Sequence, residues 1–144
     1  MSNPAPFATT LHIKDHCLCL HAQRAARALS RRFDEAFRPF GITSGQFSLM
    51  NGLNRPEPPT IGAVASLLAM DRSTVTANLK PLERAGLVTV ATDPRDRRGR
   101  RAALTDAGRA VLTRATPVWV AEHARVETEI GDGDALRAGL RAIA

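Results

Sequence analysis

TIGAVASLLAMDRSTVTANLKPLERAGLVTVATDPRDRRGRRAALT, residues 60–105, carries the pattern around which the rest of the chain is arranged. Ile61, Val64, Ala65 and Leu68 fall at i, i+3, i+4 and i+7, the spacing of one buried helical face. A break at Ala69-Met70 leads to Asp71, a residue type suited to cap a second helix. In that helix Val75, Leu79 and Leu82 share a face, which leaves Arg72, Ser73, Thr74, Thr76, Ala77 and Lys80 largely outside it. Gly86 ends it. Two β-type runs follow, residues 87–92 and 101–104, joined by the arginine-crowded turn DPRDRRGR. Helix, short turn, helix and basic hairpin, in that order, predict a winged helix-turn-helix that binds DNA.

Upstream of this stretch, residues 10–40 fit one long helix. Leu18, Ala22, Ala25, Leu29, Phe33, Ala36 and Phe40 form a continuous apolar stripe, with Arg24, Arg27, Arg31 and Arg38 elsewhere on the surface. Pro39-Phe40-Gly41 breaks it, and residues 1–9 read as a loose tail. Thr43 or Ser44 caps a helix over 45–53 that buries Phe47, Met50 and Leu53. The proline-rich residues 54–59 make a stiff loop before Thr60 caps the first helix of the central stretch.

Downstream, Thr105-Asp106 starts a helix carrying Ala107, Val111, Leu112 and Ala115 on one side, and Pro117 is expected to kink it or end it early. Gly131-Asp132-Gly133 turns into a last helix over 134–144 with Leu136, Leu140 and Ile143 apolar. The first helix and the last two have more apolar face than one small DNA-reading lobe needs, so a two-fold dimer is the economical arrangement. The expectation is a mainly α single domain over 1–144. Its dimerisation helices span 10–40 and 105–144, its winged-helix lobe spans 43–104, and a small β-hairpin forms the wing.

Composition narrows the function. With 144 residues and 44% apolar content the chain can build a core, which excludes a disordered chain. No run approaches the apolar length of a membrane span, and MSNPAPFATT lacks the regions of a signal peptide, so a cytoplasmic location is expected. Eighteen arginines and two lysines carry the formal charge of +6. Between Asp71 and Arg101 eight basic residues stand against four acidic, so that segment holds +4 of the +6. A basic excess gathered in one motif favours a polyanionic partner. Enzyme chemistry finds no support: there is no His-Glu-x-x-His, nucleophile elbow or phosphate loop, and His123 near Glu122 and Glu127 is too generic to count. No cofactor is expected. RNA binding would want stacking aromatics that the chain lacks. The serious rival is a winged-helix protein-interaction module, against which stand the five arginines within residues 95–101.

Three pieces, GITSGQFSLM, then IGAVASLLAMDRSTVTANLKPLERAGLV, then DPRDRRGRRAALTDAG, resemble the MarR family of transcriptional regulators, and the likeness covers nearly the whole chain. The resemblance implies a homodimer with two winged helix-turn-helix lobes joined through the terminal helices. It implies a palindromic DNA operator, usually repressed until a small molecule or an oxidant releases the protein. The helix over 71–85 would enter the major groove, and Asp96 would orient Arg98 toward the minor groove. Pro81 departs from the pattern, though the N-terminal reading half of that helix precedes it. An effector pocket between the dimerising helices and the DNA lobe is implied as well. Phe33, Phe37, Phe47, Met50 and Trp119 are its candidate lining residues, with plain core as the other reading of each.

The residue types suit those roles. Arg72, Ser73, Thr74, Thr76 and Ala77 give a short polar surface that lets the backbone approach a groove; Arg72 suits bidentate contact to guanine and Lys80 suits a phosphate. Arg95, Arg97 and Arg98 form a cationic wing attracted by the negative potential of a narrow minor groove, and Asp96 among them makes sense as a brace for one guanidinium. Cys17 and Cys19 exclude a disulfide framework and leave three readings. They are small apolar residues in an interface, redox sensors, or metal ligands with the nearby histidines; His12, His16 and Cys19 share one helical spacing, Cys17 and His21 another. Cys19, bordering the apolar stripe near Ala26 and Phe37, matches the reactive cysteine of the family's hydroperoxide-sensing branch. The tyrosines of that branch are replaced here by Phe33 and Ser44.

Overall fold

The computed structural model describes residues 6–144, so the first five residues of the expected loose tail lie outside it. The single long helix expected over 10–40 is two helices, α1 (Phe7–His16) and α2 (Leu18–Phe37), followed by a short 3-10 turn at Arg38–Phe40. The break has a local cause. Cys17 adopts an extended conformation with φ −67° and ψ 110°, and its sulfur accepts the Leu20 N–H at 3.4 Å as a cap for α2. The rings of His16 and His21 lie 2.8 Å from the carbonyls of His12 and Cys17, supplying polar neighbours at the break. Residues 7–9, expected as tail, belong to α1.

Side-chain caps fix where the following helices begin. Thr43 Oγ1 accepts the Gln46 N–H while Gln46 Oε1 accepts the Thr43 N–H, a reciprocal box that starts α3 (Ser44–Leu53). Thr60 Oγ1 accepts the Ala63 N–H and starts α4 (Ile61–Leu68). Ala69, at φ 52°, turns the chain into α5 (Arg72–Arg84). Asp71 holds the cap position of α5, but its carboxylate makes no capping hydrogen bond. The hairpin pairs β1 (Val88–Thr92) with β2 (Arg100–Leu104), Val88 opposite Leu104 and Thr92 opposite Arg100. One further bridge, Thr60 with Arg101, ties the start of α4 to β2. Thr105 caps α6 (Asp106–Ile130) and Asp132 caps α7 (Gly133–Arg141).

Pro117 neither ends α6 nor shortens it; the helix runs thirteen residues beyond that proline, to Ile130. A mid-helix proline costs about 3 kcal/mol. Packing on both sides offsets it: Leu112 and Ala115 are buried in the core before it, and Arg32 of α2 grips the helix after it through Glu122 and both oxygens of Glu129. Pro81 is likewise carried inside α5.

The core lies where α3, α4, α5 and the hairpin meet the end of α2 and the first half of α6. Phe37, Met50, Val64, Val75, Leu79, Leu82, Ala102 and Ala115 are shielded almost completely, and Phe37 stacks on Phe47 with ring centroids 4.5 Å apart. Each of the larger side chains contributes about 1.5–3 kcal/mol by leaving water. Leu68, expected on the buried face of α4, is only half-buried. The terminal elements are different. α1 buries nothing, α2 buries only Phe37, and Phe7, Leu18 and Ile143 are each more than 70% exposed. Among the described residues no helix is long and apolar enough to cross a membrane.

Candidate nucleic-acid interface

The turn at Ala69 sets α5 against α4 so that Val75, Leu79 and Leu82 point into the core. Arg72, Ser73, Thr74, Thr76, Ala77 and Lys80 are consequently all exposed. The wing rises beside the N-terminal half of this helix. An open cleft of about 370 Å³ separates the two, and its walls include Arg72 and Thr76 from α5, the cap Thr60 and Gly62 at the start of α4, and Asp96, Arg98 and Arg100 from the wing. Residues 26 apart in sequence, Arg72 and Arg98, thus face one space. Arg72 does not stand free in it: its guanidinium packs over Gly62.

Within the wing, Asp96 Oδ1 accepts the Arg98 backbone N–H at 3.1 Å and its Nε at 3.4 Å, while the Arg98 side chain is 93% exposed. The carboxylate fixes the base of the guanidinium and leaves its far nitrogens available. Arg97 is exposed on the same loop. Arg95 borders a separate depression of about 390 Å³ with Glu57, Pro58, Thr89 and Arg101, so it does not line the cleft shared by Arg72 and Arg98.

Sequence reasoning missed Asp93 and misjudged Arg101. Asp93 is the buried charged residue among those described; it accepts the Arg95 backbone N–H at 3.0 Å and pairs with Arg101 Nε at 3.0 Å. The Arg95 N–H first, then Arg101, hold its carboxyl below the usual range. Arg101 also donates to Pro58 O at 2.6 Å, so it anchors the wing and is not one more surface cation. The available signal was the Asp-Pro step, a frequent turn opener.

The candidate effector residues divide. Phe37 and Met50 are wholly buried core and Phe33 packs on Phe37, whereas Phe47 and Trp119 wall a groove of about 490 Å³. That groove lies between α3, α4 and α6, with Asn51, Arg55, Leu67 and Thr116 also at its walls. Cys19, at the border of the apolar stripe in sequence, is exposed, and its sulfur accepts from Gln23 Nε2 at 3.4 Å; Cys17 is half-buried at the α1–α2 break. That break also ends the shared helical spacing of His12, His16 and Cys19. Among the described residues no three His, Cys, Asp or Glu side chains converge as a metal site would require.

A helix-turn-helix whose second helix shares a cleft with an arginine-bearing hairpin is a winged helix-turn-helix domain. Comparison with known proteins agrees. The MarR family model matches residues 40–99. The fold superposes on the Mycobacterium tuberculosis transcriptional regulator MosR in complex with DNA with a TM-score of 0.82 at 35% identity, covering 89% of this chain and 93% of that one. It is also similar to the transcriptional repressor CouR bound to a 23-mer DNA duplex, at 29% identity and a TM-score of 0.72 over 91% of this chain and 92% of that one. A second CouR structure, at 28% identity and a TM-score of 0.76 over 88% and 90% of the two chains, holds p-coumaroyl-CoA. The transcriptional activatory protein BadR of Rhodopseudomonas palustris is 32% identical over 91 residues, 61% of this chain. The chain spans about half the length of that curated relative, 52%. The chain belongs to the MarR family of transcriptional regulators.

Proposed function

We propose that the protein is a cytoplasmic, sequence-specific DNA-binding repressor that sits as a homodimer on a palindromic operator and is released by a small-molecule or oxidative signal. One observation carries the DNA reading: Arg72 and Thr76 at the start of α5 face the same cleft as the Asp96-braced Arg98 of the wing. That spacing suits a duplex whose major groove takes α5 while the flanking minor groove takes Arg98. The side chains of Ser73, Thr74, Ala77 and Lys80 lie exposed along the same helix, and Arg95 and Arg97 add charge toward phosphates. The exposed apolar residues of α1, α2 and α7, Phe7, Ile13, Leu18 and Leu140 among them, support the homodimer, since a second copy would take them out of water. MosR and CouR, both similar over nearly their whole length, have each been seen on DNA.

Two observations favour release by a signal. The groove walled by Phe47 and Trp119 suits a small apolar molecule, and CouR is known with p-coumaroyl-CoA bound. Cys19 is an exposed thiol in a segment with no disulfide partner fixed, open to an oxidant. The test is fluorescence anisotropy of the purified protein on its own promoter DNA, with excess nonspecific competitor, reduced and after mild peroxide. Tight binding that is lost on oxidation and restored by thiol supports an oxidative signal, with Cys19→Ser as the check. Tight binding indifferent to peroxide directs the search to small molecules. Absence of specific binding to genomic fragments would favour the protein-interaction module.

A further inference from the structure

The wing loop is held by more than its two strands. Asp93, where the loop begins, is 5% exposed, and its Oδ1 meets both the Arg95 N–H and Arg101 Nε at 3.0 Å. Arg101 continues the chain of contacts to Pro58 O at 2.6 Å. Backbone bonds close the same joint, from Asp93 N to Gly99 O at 2.9 Å and from Ala102 N to Pro59 O at 3.1 Å. One buried carboxylate therefore links the wing loop, strand β2 and the proline segment that leads into α4.

A carboxylate is an unfavourable group to place in a surface meant for phosphates, and burying it loses hydration besides. Its use here has to come from what it holds. A tilt at this joint is carried along the loop to Arg98, where a shift of about 1 Å takes a nitrogen out of hydrogen-bonding range. We propose that Asp93 and Arg101 are a positioning pair for Arg98, fixing the angle of the wing loop over the α4–α5 unit so that Arg98 faces the cleft lined by Arg72. Asp96 sets the Arg98 side chain; Asp93 sets the loop that carries both. The inference rests on the DNA-binding reading above.

The test is a double-mutant cycle on the full-length protein, with promoter DNA binding read by anisotropy and folding read by thermal melting. Asp93→Asn keeps the shape and loses the charged tie to Arg101. Alone it is expected to weaken specific binding about tenfold, the effect of ~1.4 kcal/mol. On an Arg98→Ala background it is expected to cost less than about twofold, because the group it positions is gone. Arg101→Met cuts the same tie from the other side and serves if Asp93→Asn does not fold; Arg101→Lys should restore part of the loss. Equal losses in both backgrounds, or wild-type binding by Asp93→Asn while Arg98→Ala binds weakly, overturn the positioning role. Wild-type binding by Arg98→Ala overturns the wing reading and this inference with it.

Discussion

The Arg72 guanidinium lies over Gly62, its Nη2 2.8 Å from where a β-carbon on residue 62 would stand. The start of α4 thereby forms a seat for the first side chain of α5. Gly62→Ala removes the seat by displacing only the far end of a flexible side chain, so the fold should tolerate it. Alanine in a helix is favoured over glycine by about 0.5–1 kcal/mol. The expected outcome is an unchanged or slightly raised melting temperature together with weaker, less selective DNA binding. Binding as in the wild type would show that the packing of Arg72 over Gly62 plays no part in DNA binding.

Lys80 and Arg98 should fail differently. Lys80 is exposed on α5 beyond the reading turns, and its expected role is to meet a phosphate. Lys80→Ala should weaken binding to all sequences alike and lower the slope of log K against log salt by about 0.9. Arg98→Ala should instead act most on sequences with a narrow minor groove under the wing, and should not change the melting temperature, since its side chain is 93% exposed. A salt titration over two or three operator variants separates the two. A loss confined to one base position for Lys80→Ala would contradict its phosphate role.

Gly108 shows how closely the hairpin is joined to α6. A β-carbon there would stand 2.0 Å from Leu87 O, a backbone atom that cannot swing aside. The neighbouring contacts are all short: Thr105 Oγ1 donates to Gly86 O at 2.6 Å and Thr105 N to Leu87 O at 3.0 Å. Gly108→Ala is expected to destabilise the protein by about 1–3 kcal/mol, the range seen for overpacked cores. Urea unfolding measures it, and a change below about 0.5 kcal/mol, the usual scatter of surface substitutions, would show that the joint can relax.

What could be read from the chain beforehand follows from how far each interaction reaches. Thr60 and Thr105 act within three residues of themselves, so both caps and the helices they start were legible. The stripe Val75, Leu79 and Leu82 was legible because a helix repeats its own face. For the Asp96–Arg98 brace, composition marked Asp96 as a brace for one guanidinium, and the family resemblance singled out Arg98 as its partner. Cys17 was not: its apolar neighbours keep helical spacing, and nothing local announces that its sulfur will accept the Leu20 N–H and interrupt the helix. Arg101 was counted with the other wing arginines because its contact with Pro58 crosses 43 residues. Phe37 and Met50 have the spacing of a pocket wall as much as of a core, and only the closure of α6 over the lobe decides that they are core.

Acid should loosen the grip between α2 and α6. Arg32 holds both carboxylates of Glu122 and Glu129 below their ordinary value of 4.5. Arg125 reinforces Glu122, and the two glutamates in turn push the Arg32 guanidinium upward, so it stays charged throughout. A carboxylate whose folded-state pKa is depressed stabilises the fold fully above its unfolded value. That stabilisation is lost as pH falls through the lower, folded value. The melting temperature of the wild type is therefore expected to fall as pH drops below the ordinary glutamate value of 4.5 and on through the lower values these carboxylates have in the fold. Arg32→Met should lower the melting temperature at pH 7 and make the acid decline shallower, because the released carboxylates return toward ordinary values. Protein concentration must be held constant, since the melting temperature of the proposed dimer would depend on it. An acid decline equally steep in Arg32→Met would assign the pH dependence to other carboxylates, Asp93 first among them.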